Sequence, residues 1–282
     1  MKLAIQIVLY KSEEKLPTLL ESLKNQTYRD FEVFMHDNSQ TNLGFAGGHA
    51  KLFDQHTAPF VMLLNDDAKL DAGYLEAVMK RIESDERIAS ITGLVYRMDG
   101  QSIDTSGLVY HSLARIVDRH ENADSGEVFG VSGAVGLYRR SAIQKAGGYL
   151  FDPAWFMYKE DVDLAIRLRR AGFIAWYEPS AVAWHTRGIK PGDSHARRPA
   201  LLRQYSYVNQ HHLYTLHAAW SLGVDDFLLS LLQEIGRTAL VFIASPIVWV
   251  RSVRSLAKTF SYMWKRRKAL ETLGLRHIRM RV

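Results

Sequence analysis

Residues Phe60–Leu70 read FVMLLNDDAKL. Five consecutive apolar residues, bounded by polar ones, describe a strand buried on both faces. They run straight into Asn65 and two adjacent carboxylates, Asp66 and Asp67. Side-by-side acids repel, and a buried strand gives them no water. They therefore belong at the strand tip, where the core opens. Two carboxylates that are uncomfortable alone become comfortable around a divalent cation. Hard oxygen donors in a chain with no cysteine point to Mg²⁺ or Mn²⁺. The plainer reading of either acid is a cap for the helix that follows near Asp71.

Strand and helix patterns alternate around this stretch. LAIQIVLY (3–10) is a β-branched apolar run, and KLPTLLESLKNQ (15–26) sets Leu16, Leu19, Leu20 and Leu23 at helical spacing. FEVFMHDN (31–38) is a strand ending in Asp37 and Asn38. GFAGGHAKLFDQH (44–56) is a glycine-rich turn entering a helix, without the GxGxxG or GK[ST] spacing of a phosphate loop. DAGYLEAVMKRIESD (71–85) reads as a helix capped by Asp71, and IASITGLVY (88–96) as a strand. The alternation predicts an α/β domain with a mainly parallel sheet. Ligands of such sheets bind beyond the carboxyl ends of the strands. Tyr10-Lys11-Ser12, His36-Asp37-Asn38 and Asn65-Asp66-Asp67 all fall there.

Beyond residue 97 the pattern is less regular. Residues 101–138 suggest antiparallel strands over the sheet, and VSGAVGLYRRSAIQKAGGY (131–149) a short strand followed by a helix from Ser141. In FDPAWFMYKEDVDLAIRLRRAGF (151–173) a helix starts at Glu160 and ends at Gly172. Val162, Leu164, Ala165, Leu168 and Ala171 should face inward, and Arg167, Arg169 and Arg170 mostly outward. Asp163 suits the first helical turn as a partner for the helix dipole. Glu160 and Asp161 follow Trp155, Phe156, Met157 and Tyr158, a pattern that suggests an apolar pocket holding a base. FIAWYEP (173–179) and AVAWH (181–185) read as two short strand pieces. His185 at the end of the second is either a hydrogen-bonded core residue or a metal ligand.

The 282 residues are enough for one large domain with an appendage, and the absence of cysteine excludes disulfides and thiol nucleophiles. A reducing compartment is expected. The N-terminal MKLAIQIVLYKSEE has too short an apolar part for a signal peptide. Charge is uneven. Residues 187–282 carry 16 Lys+Arg against 5 Asp+Glu, while the rest is net acidic. The longest uncharged stretch of DDFLLSLLQEIGRTALVFIASPIVWV, Thr238–Val250, contains Pro246 and is too short to span a bilayer. RSVRSLAKTFSYMWKRRK (251–268) lines Val253, Leu256, Ala257, Phe260, Met263 and Trp264 on one stripe, with Arg251, Arg254 and Lys258 on another face. That suits a helix lying in an anionic membrane interface; the alternative is packing on the body or on a second copy in a homo-oligomer. Nucleic acid is not expected as a partner, because the acids at 66–67 and 160–161 would line the main cleft and repel phosphate.

Four stretches together resemble glycosyltransferase family 2 and, within it, the bacterial rhamnosyltransferase-like branch. They are VLYKSEEKLPTLLESLKNQTYRDFEVFMHDNS, NLGFAGGHA, LLNDDAKL and MYKEDVDLAIRLRRAGFIAWYEPSAVAWH, within residues 1–190. The resemblance implies a GT-A fold, Rossmann-like, with a mainly parallel central sheet and helices on both faces, over residues 1–199. Residues 200–282 then form a helical, basic amphipathic extension. It implies a nucleotide-sugar donor held by Tyr10, Glu13, Asp37, Asn38, Gly44, Phe45, Gly47, Asn65 and Asp66. It makes Asp67 and His185 ligands of Mn²⁺ or Mg²⁺, Asp161 the catalytic base, and Trp155, Tyr158 and Glu160 acceptor-side residues. The implied reaction is inverting transfer of a sugar, first L-rhamnose from dTDP-rhamnose and otherwise from a UDP-sugar. The implied acceptor is a hydroxyl of a glycan or lipid-linked glycan, in surface polysaccharide synthesis on the cytoplasmic face of the membrane. A non-enzymatic protein that binds anionic polymers is the rival from another class.

Overall fold

The computed structural model describes residues 1–186, 199–221 and 224–275. Strand and helix alternate first as β1 (Leu3–Leu9), α1 (Leu16–Lys24), β2 (Phe31–Asp37), α2 (Gly44–Phe53) and β3 (Phe60–Leu64). Then come β4 (Ala68–Leu70), α3 (Tyr74–Ser84) and β5 (Ile88–Arg97). Short strands β6 (Ile103–Thr105), β7 (Leu108–Ser112), β8 (Arg115–Asp118) and β9 (Gly126–Val128) lead to β10 (Val135–Arg139) and α4 (Arg140–Lys145). After α5 (Glu160–Arg170) and β11 (Ile174–His185), the described elements are three helices, α6 (Ala200–Ser221), α7 (Val224–Ala244) and α8 (Pro246–Thr272).

The main sheet runs β2-β1-β3-β10-β5-β11-β4. β1 is parallel to β2 and β3, and β5 to β11; β10 runs antiparallel between β3 and β5. The five residues of β3 explain its central place. Val61 and Leu63 enter the core under α2 and α5, while Phe60, Met62 and Leu64 enter the core under α1 and α3. Helices therefore cover both faces, and each buried side chain of β3 contributes roughly 1.5–3 kcal/mol of transfer free energy.

Several sequence expectations change. Asp71 does not cap α3. Gly73 occupies the cap position, and the Asp71 carboxylate instead accepts from the Gly73 amide at 3.2 Å. The two pieces at 173–185 are one strand, β11, with a register shift between Glu178 and Val182. Arg167 and Arg170 are buried rather than outward. Arg167 stays charged there because it pairs with Asp163 at 2.8 Å and donates to the carbonyls of Tyr149 and Leu150.

The C-terminal helices pack on the body. Leu213 and Leu216 of α6 and Met263 and Leu270 of α8 belong to the α5-side core. Met263 therefore leaves the predicted amphipathic stripe, whereas Val253, Phe260 and Trp264 remain exposed. The expectation that no helix is long enough to span a bilayer is corrected. Asp225–Ala244 is by length and composition long and apolar enough, and only 11% of its most apolar window is buried. The uncharged-run criterion missed it because Glu234 and Arg237 interrupt the run, and these two pair with each other at 2.8 Å.

Candidate active site

Strand register builds the first half of the site. β4 turns back to pair with β11, aligning Ala68 with His185, and the Thr186 amide donates to the Asp67 carbonyl at 3.1 Å. The pairing brings His185 Nε2 to 3.2 Å from Asp67 Oδ1. The other ring nitrogen, Nδ1, lies 2.8 Å from Asp104 Oδ2, on β6. Burial pulls the His185 pKa down, but the Asp104 and Asp67 carboxylates outweigh it and raise it to about 9. Asn65 stands beside this pair, its side-chain nitrogen 3.0 Å from His185 Nε2. Asp67 Oδ1 is buried against the His185 imidazole, while Oδ2 faces Lys15 Nζ at 3.4 Å. A buried carboxylate beside an imidazole nitrogen, the ring oriented by a second carboxylate, fits a cation ligand pair with its outer support. Such binding requires His185 to lose its proton.

Asp66 turns the other way. It accepts from the Ser12 hydroxyl and from the Tyr10 amide at 3.4 Å, tying the β3 tip to the β1 tip. Tyr10 and Glu13 are exposed in that loop. Asp37 is exposed at the β2 tip, accepting from the Ser39 amide at 2.7 Å. Asn38 is buried and spent on the chain: its amide donates to the Gly44 carbonyl at 3.0 Å and accepts from Leu43 at 3.1 Å. It shapes the start of α2 rather than facing solvent. Phe45 is half-buried against His49 and Phe151, and Gly47 packs against Leu43.

The second half of the site is a strained loop. Phe156, Tyr158 and Lys159 have φ of 57°, 73° and 72°. Non-glycine residues there cost on the order of 1–3 kcal/mol each. The loop is held from both sides. The Ala46 amide of α2 donates to the Phe156 carbonyl at 3.0 Å, and Gly44, at φ 73°, has no room for a Cβ beside that residue. From α6, Asn209 Nδ2 lies 2.8, 2.9 and 2.9 Å from the carbonyls of Trp155, Met157 and Tyr158. Tyr205 stacks on Phe156 with centroids 4.7 Å apart. The loop delivers Asp161 into the first turn of α5, where Oδ2 accepts from the Gly133 amide at 3.2 Å and Oδ1 from Val162 at 2.8 Å.

Burial, then the charge of nearby Asp118, raises the Asp161 pKa. Burial, then Asp161 itself, pushes Glu160 well above the carboxylate range. Glu160 is 6% exposed and Trp155 fully buried against His212 of α6. Both lie beneath the loop rather than on its surface. Tyr158 remains partly exposed. Asp163 is more than a dipole partner. It bonds Arg167 and, at 2.8 Å, His217 Nε2 of α6, anchoring that helix to α5.

Asp104, Lys15 and Asn209 were not singled out from the sequence. Only Lys15 sits in a stretch that suggested a ligand loop. Asp104 and Asn209 reach the site from 81 and 54 residues away, in segments without a motif.

Residues 60–253 match the family described as Glycosyl transferase family group 2. N-acetylglucosaminyl-diphospho-decaprenol L-rhamnosyltransferase of Mycobacterium tuberculosis is 29% identical over 180 residues, 57% of each chain. Poly-beta-1,6-N-acetyl-D-glucosamine synthase of Staphylococcus aureus is 26% identical over 54% of this chain and 36% of its own. This chain thus matches just over half of the first relative and about a third of the second. Among solved structures, GalNAc-T7 with UDP, GalNAc and Mn²⁺ superposes with a TM-score of 0.63 at 10% identity, over 98% of this chain and 55% of that one. S. aureus TarS 1–349 with UDP-GlcNAc gives 0.57 at 14% identity, over 97% and 90%. These superpositions place the fold among GT-A glycosyltransferases, and the family match covers well over half the sequence. The chain belongs to glycosyl transferase family group 2.

Proposed function

We propose that this protein is an inverting, metal-dependent glycosyltransferase. It moves a sugar from a nucleotide-sugar donor to a hydroxyl of a lipid-linked glycan, and L-rhamnose from dTDP-rhamnose is the first candidate. The observation that carries the reading is the bridge between the two acidic centres. The Asn65 amide donates to the Ala134 carbonyl at 2.9 Å, and the adjacent Gly133 amide donates to Asp161. The proposed base and cation-side acid therefore flank one short backbone stretch at the carboxyl end of the central strand β3. The M. tuberculosis relative's name supplies the sugar and a diphospho-decaprenol acceptor. The Mn²⁺ bound by GalNAc-T7 supports a divalent ion here.

In this reading the acceptor hydroxyl oxygen attacks the anomeric carbon from the face opposite the leaving diphosphate. The new carbon–oxygen bond forms as the bond to the diphosphate breaks, and the proton passes to the Asp161 carboxylate. Its raised pKa brings the base nearer to neutral pH, where proton transfer is more effective. Asp67 and His185 would hold Mn²⁺ or Mg²⁺, which would supply positive charge toward the leaving nucleoside diphosphate. Asp104 keeps the His185 ring oriented, and the loop held by Asn209 keeps Asp161 in register with the acceptor.

The exposed apolar side chains of α7 and α8, beside exposed Arg251, Arg254 and Lys258, support a peripheral position on the cytoplasmic face of the membrane. The decisive experiment screens dTDP-rhamnose and UDP-sugars for sugar release and transfer, with Mn²⁺, Mg²⁺ or chelator. Metal-dependent turnover lost in Asp161→Asn supports the reading; no turnover with any donor, or full activity in Asp161→Asn, overturns it.

A further inference from the structure

A cavity of about 460 Å³ lies between α6, α7 and α8, a size typical of small-molecule sites. Leu240, Val241, Ala244 and Val248 form apolar walls, and Arg203 and Arg237 bring two guanidinium groups to them. The two arginines differ. Arg237 is neutralised by Glu234 at 2.8 Å and lies over the Tyr207 ring. Arg203 donates to the Ser245 hydroxyl, but its Nε is shielded from solvent with no acceptor, and no carboxylate pairs with it among the described residues. A cation against apolar walls without a counter-charge is costly until an anion arrives. The matching ligand is therefore amphiphilic, with one anionic group and a hydrocarbon chain.

Two further observations specify it. Leu240, Ile243, Ile247 and Val250 are exposed on the same helices, so a chain leaving the cavity meets an apolar surface. The cavity also adjoins the catalytic loop. Arg203 lies six residues before Asn209 on α6, about 9 Å along the helix. Arg237 is close enough to Lys159 for its charge to disfavour the Lys159 ammonium.

We propose that this cavity binds the phosphate-bearing head and first isoprenoid units of a polyprenyl lipid carrier, with Arg203 as the counter-charge. This rests on the reading of a lipid-linked acceptor and locates where its carrier sits. The test uses the full chain and phosphatidylcholine vesicles containing either a long-chain polyprenyl phosphate or an equal charge of phosphatidylglycerol. Wild type should bind the polyprenyl vesicles about tenfold more tightly, the worth of one charge-assisted hydrogen bond. Arg203→Gln and Ala244→Trp, each checked for folding by thermal melting, should lose that preference while still binding anionic vesicles in general. Equal binding of the two vesicles by wild type, or an undiminished preference in a folded Arg203→Gln, overturns the proposal. Wild-type donor hydrolysis, measured separately, distinguishes the failures: its absence removes the transferase reading, whereas the lipid preference stands or falls by itself.

Discussion

Replacing Asn209 with alanine should release the loop that presents Asp161. The side chain is 1% exposed, and its single amide nitrogen serves three carbonyls. Two N–H bonds cannot fully satisfy three acceptors, so the loss is that of about two bonds at roughly 1 kcal/mol each, plus the cost of carbonyls left buried. The total is about 2–4 kcal/mol. The strain at Phe156, Tyr158 and Lys159 is of the same order, about 1–3 kcal/mol per residue. Removing the clamp therefore tips the balance, and the loop relaxes toward ordinary backbone angles. A displacement of about 1 Å at a catalytic group costs on the order of a hundredfold in rate. Most of the proposed donor-side groups follow β1, β2 and β3, and only Gly44, Phe45 and Gly47 lie on α2 beside the loop, so kcat should fall by far more than the KM for donor rises. Hydrogen exchange gives a readout independent of turnover. The Ala46 amide, bonded to the Phe156 carbonyl, should exchange faster in Asn209→Ala, and amides of β3 should not. Unchanged exchange at Ala46, together with kcat within about threefold of wild type, a change of under 1 kcal/mol in barrier, would refute the reasoning.

Other outcomes follow from the same geometry. Gly44→Ala should disturb the loop from the opposite side, because its Cβ would come within 2.7 Å of the Phe156 ring at a φ of 73°; lower thermal stability and lower kcat are expected together. A base at Asp161, as proposed, would act deprotonated, and its pKa is raised, so kcat/KM should fall with decreasing pH at values above the ordinary aspartate range, a limb absent from any residual rate of Asp161→Asn. Asp104→Asn should weaken Mn²⁺ binding about 10- to 100-fold by loosening the His185 ring, measured by calorimetry without any donor. Asp163→Asn leaves Arg167 buried without its carboxylate and should cost about 3–5 kcal/mol in a urea melt. In the wild type, burial opposes ionisation of Asp163, but Arg167 and His217 hold its pKa near 2. Its folded-state pKa is depressed, so its contribution is present above the unfolded value near 4 and is lost as pH falls toward 2.

Much of the site was legible because its parts lie on local patterns. An apolar run meeting Asn65-Asp66-Asp67 marks a strand tip, and acids after aromatics mark the start of α5. The amphipathic reading of Arg167 and Arg170 failed for a physical reason. Helical periodicity separates apolar from polar faces, but it has no knowledge of the Asp163 carboxylate and the Tyr149 and Leu150 carbonyls, which make the buried Arg167 guanidinium tolerable. The burial of Trp155 is likewise not visible locally, since nothing in the pattern says that His212 of α6 will pack against it.

The sequence by itself determined the alternating strands and helices, the centrality of β3 through its unbroken hydrophobicity, and the acids at the strand tip and helix start. Tertiary structure alone decided that β10 runs antiparallel between β3 and β5, that Asp104 supports His185, and that Asn209 clamps the loop before Asp161. Local residues are linked by short-range periodicity, which a sequence displays. Partners 54 or 81 residues apart are brought together only by packing and strand register, and no repeat along the chain encodes them.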